Sequence, residues 1–204
     1  MDNGLIEILR ISRSELKDLN MSDSCITGIG VKEGVKALPN LATLKLSHCF
    51  NLANEGLVEI LSISGSKLRY LDVSCSCVSG MGWEEEVKSL PNLETLILNT
   101  CSELFDEGLV EILRICGSKL VHLDVSCTSV TGIGLEDGVK SLPMLENLNL
   151  GDCDELTDSG LLEILRIAGK RLKTLNVSET YRISAGLKQT LHQKYPIFLG
   201  VEFY

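Results

Sequence analysis

Leucines recur along the chain in a short alternating pattern, separated by stretches of nearly constant length. Each occurrence reads L-x-x-L-x-[LVM], as in LATLKL, LRYLDV and LETLIL. Alternation of apolar and polar positions with period two predicts a short strand that has one face in the core. Parallel strands need a crossover between each neighbouring pair, which fits the long spacing between these segments. The segments begin at seven leucines that are alternately 25 and 27 residues apart: Leu16, Leu41, Leu68, Leu93, Leu120, Leu145 and Leu172.

The stretches between the strands carry a helical pattern. In the 27-residue units, called long units below, the run GLVEIL places Leu57, Ile60 and Leu61 on one side of a helix. Gly65 and Gly117 follow such runs and are predicted helix C-caps. The 25-residue units, called short units, contain runs such as GVKEGVKALP, and we expect their helices to end at the prolines. These prolines are Pro39, Pro91 and Pro143.

One long and one short unit together form a repeat of 52 residues. Gly4, Gly56, Gly108 and Gly160 follow this step, as do other columns of glycine and leucine. Units that repeat without insertions stack on their neighbours in one geometry, which predicts a solenoid. We therefore expect a single domain over residues 1–204, with a half-repeat helix at 1–15, repeats at 16–183 and a C-terminal cap at 184–204. The first helix lacks a preceding strand, which predicts either a minimal cap or a piece of a longer protein.

A small hydrogen-bonding residue recurs eight positions after each strand leucine. It is Cys49, Cys101 or Cys153 in the long units and serine or threonine in the short units, as in Ser76 and Thr128. We expect this side chain to point inward and to bond backbone groups that the bend of the chain leaves free. Because these three cysteines recur with the repeat, as do Cys75 and Cys127 at another position, the sequence predicts reduced, buried thiols rather than a disulfide framework.

The repeated sequences LATLKLSHCFNLANEGLVEIL, LETLILNTCSELFDEGLVEIL and LENLNLGDCDELTDSGLLEIL resemble the cysteine-containing subclass of leucine-rich repeats. The resemblance covers essentially the whole chain. It implies an α/β solenoid, a leucine-rich repeat horseshoe with a concave parallel sheet of about seven strands and convex helices. The subclass is known from F-box substrate adaptors, so the resemblance also implies a recruiting role, such as substrate recognition for a ubiquitin ligase. No F-box-like helical segment is present before the repeats, so this role does not transfer directly.

Charge and motifs exclude several other functions. The net charge of −9 disfavours binding to nucleic acid or to an anionic membrane surface. Three scattered histidines and one C-x-C do not form a metal-binding pattern, and no nucleophile elbow, phosphate-binding loop or dinucleotide motif occurs. We therefore predict no catalytic residues, no cofactor and no metal site, and hence a protein that is not an enzyme.

The polar positions of the strands are expected to form columns on the concave face. Near its centre the columns carry apolar or aromatic residues inside a charged rim, which is typical of a protein-binding hot spot. The face also holds more acidic than basic side chains, which favours a basic or polar protein or peptide partner. The predicted partner-binding residues are Arg69, Tyr70, Asp72, Glu94, Ile97, Val121, His122 and Asp124.

The leading hypothesis is thus a non-enzymatic protein-interaction module, with adaptor work as its finer form. Reduced cysteines predict a cytoplasmic or nuclear location. Two alternatives stay open: a fragment of an extracellular or immune-type recognition receptor that uses the variable concave residues, and a structural or inhibitory scaffold that wraps an enzyme. The oligomeric state does not follow from the sequence.

Overall fold

The strands form one sheet in which every neighbouring pair is parallel. The computed structural model describes residues 2–12, 14–64, 66–87, 89–195 and 197–199. Within these residues eight strands follow one another in chain order, which confirms the predicted α/β solenoid. The strands are β1 (Asp18–Asn20), β2 (Thr43–Lys45), β3 (Tyr70–Asp72), β4 (Thr95–Ile97), β5 (His122–Asp124), β6 (Asn147–Asn149), β7 (Thr174–Asn176) and β8 (Ile197–Leu199).

Seven of these strands are the ones that the leucine pattern predicts. The eighth, β8, follows the last helix and pairs with β7, so that Thr174 lies opposite Ile197. Within the predicted C-terminal cap, Pro196 and residues 200–204 lie outside the described residues.

Helices connect the strands, and their lengths alternate. The four helices that begin in LVEIL-like runs have 10 or 11 residues: α1 (Asn3–Ser12), α3 (Asn54–Ile63), α5 (Asp106–Ile115) and α7 (Asp158–Ala168). The short units hold single turns of four residues, namely α2 (Val31–Gly34), α4 (Trp83–Glu86) and α6 (Leu135–Gly138). Two 3₁₀ turns (Gly117–Lys119 and Gly169–Arg171) precede β5 and β7, and α8 (Ala185–Lys194) precedes β8.

The predicted helix ends are wrong in the short units. There α2 ends at Gly34, well before Pro39, because Val35 is already extended, with φ −129° and ψ 120°. The chain then needs the residues up to Pro39 to reach the next strand. Gly117 is not a C-cap either, since Cys116 occupies that position and Gly117 begins a 3₁₀ turn. Gly65 lies outside the described residues.

The core is a stack of aliphatic layers between the sheet and the helices. The central residue of each repeat strand is a buried leucine, as in Leu44, Leu71 and Leu96. Strand spacing is about 4.8 Å and helix packing distances are about 8–10 Å, so the helical side spreads and the sheet side is concave. A second buried column packs between the strands and the helices: Ile26, Leu52, Val78, Leu104, Val130, Leu156 and Ile183.

The recurring small residues form an inward ladder, as the sequence predicts. Ser76 Oγ donates to the carbonyl of Val73 at 2.5 Å, and Cys101 Sγ of the next unit contacts the same oxygen at 3.4 Å. Burial raises the pKa of the Cys101 thiol. All eight cysteines are free, and four are buried: Cys49, Cys101, Cys116 and Cys153.

The expectation of buried thiols is wrong for three other cysteines. Cys25, Cys77 and Cys127 are exposed, and Cys75 is half-buried. Cys25 and Cys77 each come directly after the ladder residue of a short unit, where the chain leaves the core and the side chain turns outward. Cys127 precedes its ladder residue and has a left-handed backbone, with φ 54°.

Candidate functional site

The concave face consists of the two outward positions of each strand. The register sets Tyr70 of β3 opposite Thr95 of β4, and Thr95 opposite His122 of β5. It likewise sets Asp72 opposite Ile97, and Ile97 opposite Asp124. Because neighbouring side chains in such rows are about 5 Å apart, six residues from three strands share one surface.

The residue before each strand continues this alignment. The backbone N–H of Glu94 donates to the carbonyl of Arg69 at 2.8 Å, and that of Val121 donates to Glu94 at the same distance. Arg69, Glu94 and Val121 therefore form a third row beside the strands. The structure thus brings all eight predicted residues onto one face, with Arg69 exposed and the other seven half-buried.

Part of the charged rim is neutralised within the protein. Arg69 forms an ion pair with Glu94, with 3.0 Å between nitrogen and oxygen. Lys173 pairs with Glu146 at 2.6 Å, and this hydrogen bond lowers the pKa of Glu146. Exposed pairs of this kind contribute little stability, so they remain open to exchange with a partner. With two of the basic groups engaged in this way, the face keeps its acidic character.

Asp72 and Asp124 have a structural role that the sequence analysis missed. One oxygen of Asp72 accepts hydrogen bonds from the N–H and the hydroxyl of Ser74, at 3.1 and 2.6 Å. Asp124 makes the same pair of bonds to Ser126 at 3.0 and 2.6 Å. Such bonds hold the turn that follows a strand. The repeated [DN]-x-S spacing, seen also at Asn176, is the signal that could have predicted this role.

A polar ladder continues from Asp124 towards the C-terminal strands. Asn149 donates to the second carboxylate oxygen of Asp124 at 2.9 Å, and Asn176 donates to Asn149 at 2.8 Å. Ile97 occupies the same column on β4 and, as a hydrocarbon side chain, cannot carry the ladder on to Asp72. The concave face is therefore internally hydrogen-bonded from β5 to β7 and apolar at its centre.

Tyr70 lies at the boundary of the apolar centre, and its surroundings are more specific than the sequence indicated. The Lys45 ammonium lies 5.2 Å from the centroid of the Tyr70 ring, within the range of a cation–π contact. Burial, and then the charge of Asp72, raise the pKa of the Tyr70 hydroxyl. The hydroxyl therefore stays protonated at neutral pH and can donate a hydrogen bond to a partner.

Two aromatic side chains extend this surface beyond the strand ends. The rings of His48 and Phe50 meet edge to face, with centroids 5.9 Å apart, and Phe50 is 69% exposed. Both follow β2 and lie on the loop side of Lys45. The sequence analysis missed Phe50 because five of the other six units carry cysteine, serine or aspartate at that position; the sixth carries Tyr181.

The described residues contain neither a metal-binding cluster nor a helix that could span a membrane. Across residues 2–12, 14–64, 66–87, 89–195 and 197–199, no group of three or more histidine, cysteine or acidic side chains could hold a metal ion. Over the same ranges, the helices are too short or too polar for any of them to cross a membrane.

Comparisons with known proteins agree with the repeat pattern. The family described as Leucine Rich repeat matches residues 141–165. Putative F-box/LRR-repeat protein 23 of Arabidopsis thaliana is 33% identical over 120 residues, which cover 56% of this chain and 26% of that protein. F-box/LRR-repeat protein 12 of Homo sapiens is 32% identical over 131 residues, covering 63% and 38% of the two chains.

A solved structure shows the same fold. The crystal structure of the Rad7 and Elc1 complex in yeast superposes with a TM-score of 0.61 at 18% identity, covering 77% of this chain and 40% of the other. The fold and the sequence matches together show a leucine-rich repeat solenoid. The ladder of thiols and hydroxyls, together with the similarity to F-box/LRR-repeat proteins, supports the predicted cysteine-containing type of repeat. The chain spans 26% and 38% of the two F-box/LRR proteins named above.

Proposed function

We propose that this chain is a protein-interaction module that holds a protein or peptide partner on the concave face of β3 to β5. The observation that carries the proposal is the apolar gap in the polar ladder. Tyr70 and Ile97 lie on the adjacent strands β3 and β4 and Val121 directly precedes β5, while β6 and β7 carry asparagine and threonine in the strand columns. An apolar centre with a polar surround concentrates binding energy in a few residues.

The charges favour a basic or polar partner. With Arg69 and Lys173 paired, Lys17 and Lys45 are the remaining basic side chains among the described strand columns. The carboxylates of Asp18, Asp72 and Asp124 lie in the same columns. In the described part of the chain the Asp72 carboxylate bonds only Ser74, through one oxygen, so its second oxygen can accept a hydrogen bond from a lysine or an arginine.

The finer form of the proposal is a recruiting adaptor that works in the cytoplasm or the nucleus. The similarity to F-box/LRR-repeat proteins supports recruitment of a protein substrate. Free cysteines, three of them exposed, support a reducing compartment. Binding through the repeats needs no catalytic group, which agrees with the prediction that the chain is not an enzyme.

The test compares two double variants of matched position. Tyr70→Ala with Ile97→Ala removes the apolar centre, whereas Thr43→Ala with Thr174→Ala alters the Tyr70 column on outer strands. Quantitative affinity capture with mass spectrometry identifies proteins that bind the wild type, and titration calorimetry then measures each affinity. We expect the centre variant to weaken binding about 100-fold, because two hot-spot residues are lost. The outer variant should bind within about twofold of the wild type.

Unchanged affinity in the centre variant would refute the concave site. A partner of strongly acidic character would refute the charge argument, even if the site were right. Circular dichroism and urea unfolding of both variants control for misfolding, since truncation of half-buried surface residues should leave the fold intact.

A further inference from the structure

The convex side carries a feature that recurs with the 52-residue step. One apolar residue stands between two glycines in each short unit, and it is about half exposed in all three copies. Ile29 is 47% exposed, Met81 49% and Ile133 52%. Each lies at the start of a short helix and faces the preceding long helix across a groove.

Three equivalent grooves lie between successive helix pairs. Their volumes are about 520 Å³ between α1 and α2, 290 Å³ between α3 and α4, and 420 Å³ between α5 and α6. Ile6, Val58 and Val110 form the apolar floor on the long-helix side. The structure therefore repeats one arrangement along the convex face, a groove with one apolar residue on each wall among polar and charged side chains.

The local turn does not require an apolar side chain at these positions. The glycines on either side have φ near +80°, so they set the backbone conformation. The N–H of Ile133 donates to the Thr131 hydroxyl at 3.2 Å, and the equivalent bond at Met81 goes to Ser79 at 3.3 Å. Because a polar residue would satisfy the same turn, packing and hydrogen bonding leave the exposed apolar column unexplained.

Acidic side chains surround the grooves. Glu55 and Glu85 line the one at Met81, and Glu107 and Asp137 line the one at Ile133. In the described residues none of these four carboxylates forms an ion pair. The grooves thus offer uncompensated negative charge beside exposed hydrocarbon.

The basic side chains nearby are already engaged. Lys32 pairs with Glu86 at 3.5 Å, and Arg114 pairs with Glu84 at 3.2 Å while its Nε donates to the carbonyl of Gly138. Each of these cations is therefore balanced by a carboxylate of the protein, and the four groove acids named above have no basic partner among the described residues.

We propose that the convex face is a second docking surface, distinct from the concave one, and that it takes a basic amphipathic helix of a protein partner. Equivalent grooves are two helices apart, or about 16–20 Å at ordinary helix packing distances. A helix rises about 1.5 Å per residue, so apolar anchors about 11 residues apart reach successive grooves. Eleven residues are close to three turns, so such anchors share one side of the helix, and lysine or arginine between them faces the acids.

The test uses a designed peptide and the whole chain. A fluorescein-labelled 24-residue helix with two leucines 11 residues apart among lysine and alanine is titrated and its anisotropy followed. We expect saturable binding that Met81→Ser with Ile133→Ser weakens at least about tenfold, because both anchors lose their apolar contact. A Glu55→Gln, Glu85→Gln variant should weaken it by a few-fold, and added salt should do the same. A peptide with glutamate in place of lysine should not bind.

Two control variants locate the site. Phe50→Ser with Tyr181→Ser removes exposed aromatic residues outside the grooves and should leave peptide affinity unchanged. Tyr70→Ala with Ile97→Ala should also leave it unchanged, so the failure of this proposal and that of the concave site are distinguishable. Absence of binding, equal binding to the groove variant, or loss of binding in the concave variant would overturn the proposal. Self-association of the chain that Met81→Ser with Ile133→Ser abolishes would overturn it too, in favour of a second copy.

Discussion

Long and short units form different hydrogen bonds at the ladder position. In a short unit the hydroxyl closes its own turn, as Thr128 Oγ1 does by donating to Val125 at 2.6 Å. In the long unit that follows, Cys153 Sγ reaches back to the same carbonyl of Val125 at 3.2 Å. The Val125 carbonyl oxygen therefore accepts one hydrogen bond from each unit, and the bond from the thiol links the two units.

The helix starts of the long units also contact the short units on both sides. Gly108 lies against the backbone of Ser79 in the preceding short unit. Asp106 accepts hydrogen bonds from the backbone N–H groups of Thr131 and Gly132 in the next one, at 3.1 and 2.8 Å. The contacts of a long unit with the short units on its two sides, called a joint below, link the units of the solenoid. They explain why the sequence repeats as a doublet of one long and one short unit.

The largest loss in the free energy of unfolding is expected where the backbones at a joint are too close for an added side chain. A Cβ on Gly108 would lie 1.8 Å from the carbonyl oxygen of Ser79, so Gly108→Ala forces backbone of two units apart. We expect a loss of about 3 kcal/mol in the free energy of unfolding, at the upper end for overpacking. Urea denaturation followed by circular dichroism measures it.

Gly4 provides the matched control, since it has the same repeat position in α1. A Cβ there meets nothing within 4 Å, so Gly4→Ala should be neutral or stabilise the helix by up to about 1 kcal/mol. Equal destabilisation by both substitutions would mean that the joint does not depend on the glycine contact.

A smaller loss in the free energy of unfolding is expected when a ladder threonine loses its hydroxyl, and the loss should differ between Thr180 and Thr128. Thr180 Oγ1 donates to Val177 at 2.6 Å, and in the described residues no thiol shares that oxygen. Thr180→Val should therefore leave a buried carbonyl without its donor and cost about 2 kcal/mol. Thr128→Val should cost about 1 kcal/mol, because Cys153 still bonds Val125. Urea unfolding of the two variants tests this order, and a larger loss for Thr128→Val would contradict the role of the thiol.

The sequence predicted the parts of the fold that packing repeats in every unit. The strand leucines, the second apolar column and the ladder recur at constant spacing, and each position has one dominant environment. The length of the short helices was not predictable in this way. Val35 and Val87 continue the helical pattern, yet both are extended, since the short unit must return to the sheet with fewer residues.

The candidate site was predicted only as a set of residues that share a face. Alternation placed Tyr70 and Ile97 outward correctly, but it could not assign the hydrogen bonds of Asp72 and Asp124, because an acid can face either a partner or its own turn. Contacts between units, such as Lys45 with Tyr70, depend on side-chain conformation across strands. Patterns within one unit do not contain that information.

The smallest change in the free energy of unfolding is expected from chemical labelling of the cysteines. The order of labelling should distinguish the thiols of the short units from those of the long units. Cys25, Cys77 and Cys127 of the short units are exposed, whereas the ladder thiols Cys101 and Cys153 of the long units are buried and their pKa values are raised by that burial. Partial burial, and then the charge of Asp152, also raise the pKa of Cys127, so the early labelling of Cys127 rests on its exposure. A raised pKa lowers the thiolate fraction, and the thiolate is the reacting species. At pH 8 a small maleimide should therefore label the three short-unit cysteines first and the ladder cysteines only after unfolding in urea.

Mass spectrometry of peptides at increasing times measures this order. Cys116 should resist longest, since burial raises its pKa to about 12 and labelling also requires the end of α5 to open. The labelled protein should keep its free energy of unfolding within about 0.5 kcal/mol, because exposed positions away from the core tolerate change. Early labelling of Cys101 or Cys153 would show that the long units open locally. The thiol would then be a weak link between units, and the doublet would owe its cohesion to the glycine contacts instead.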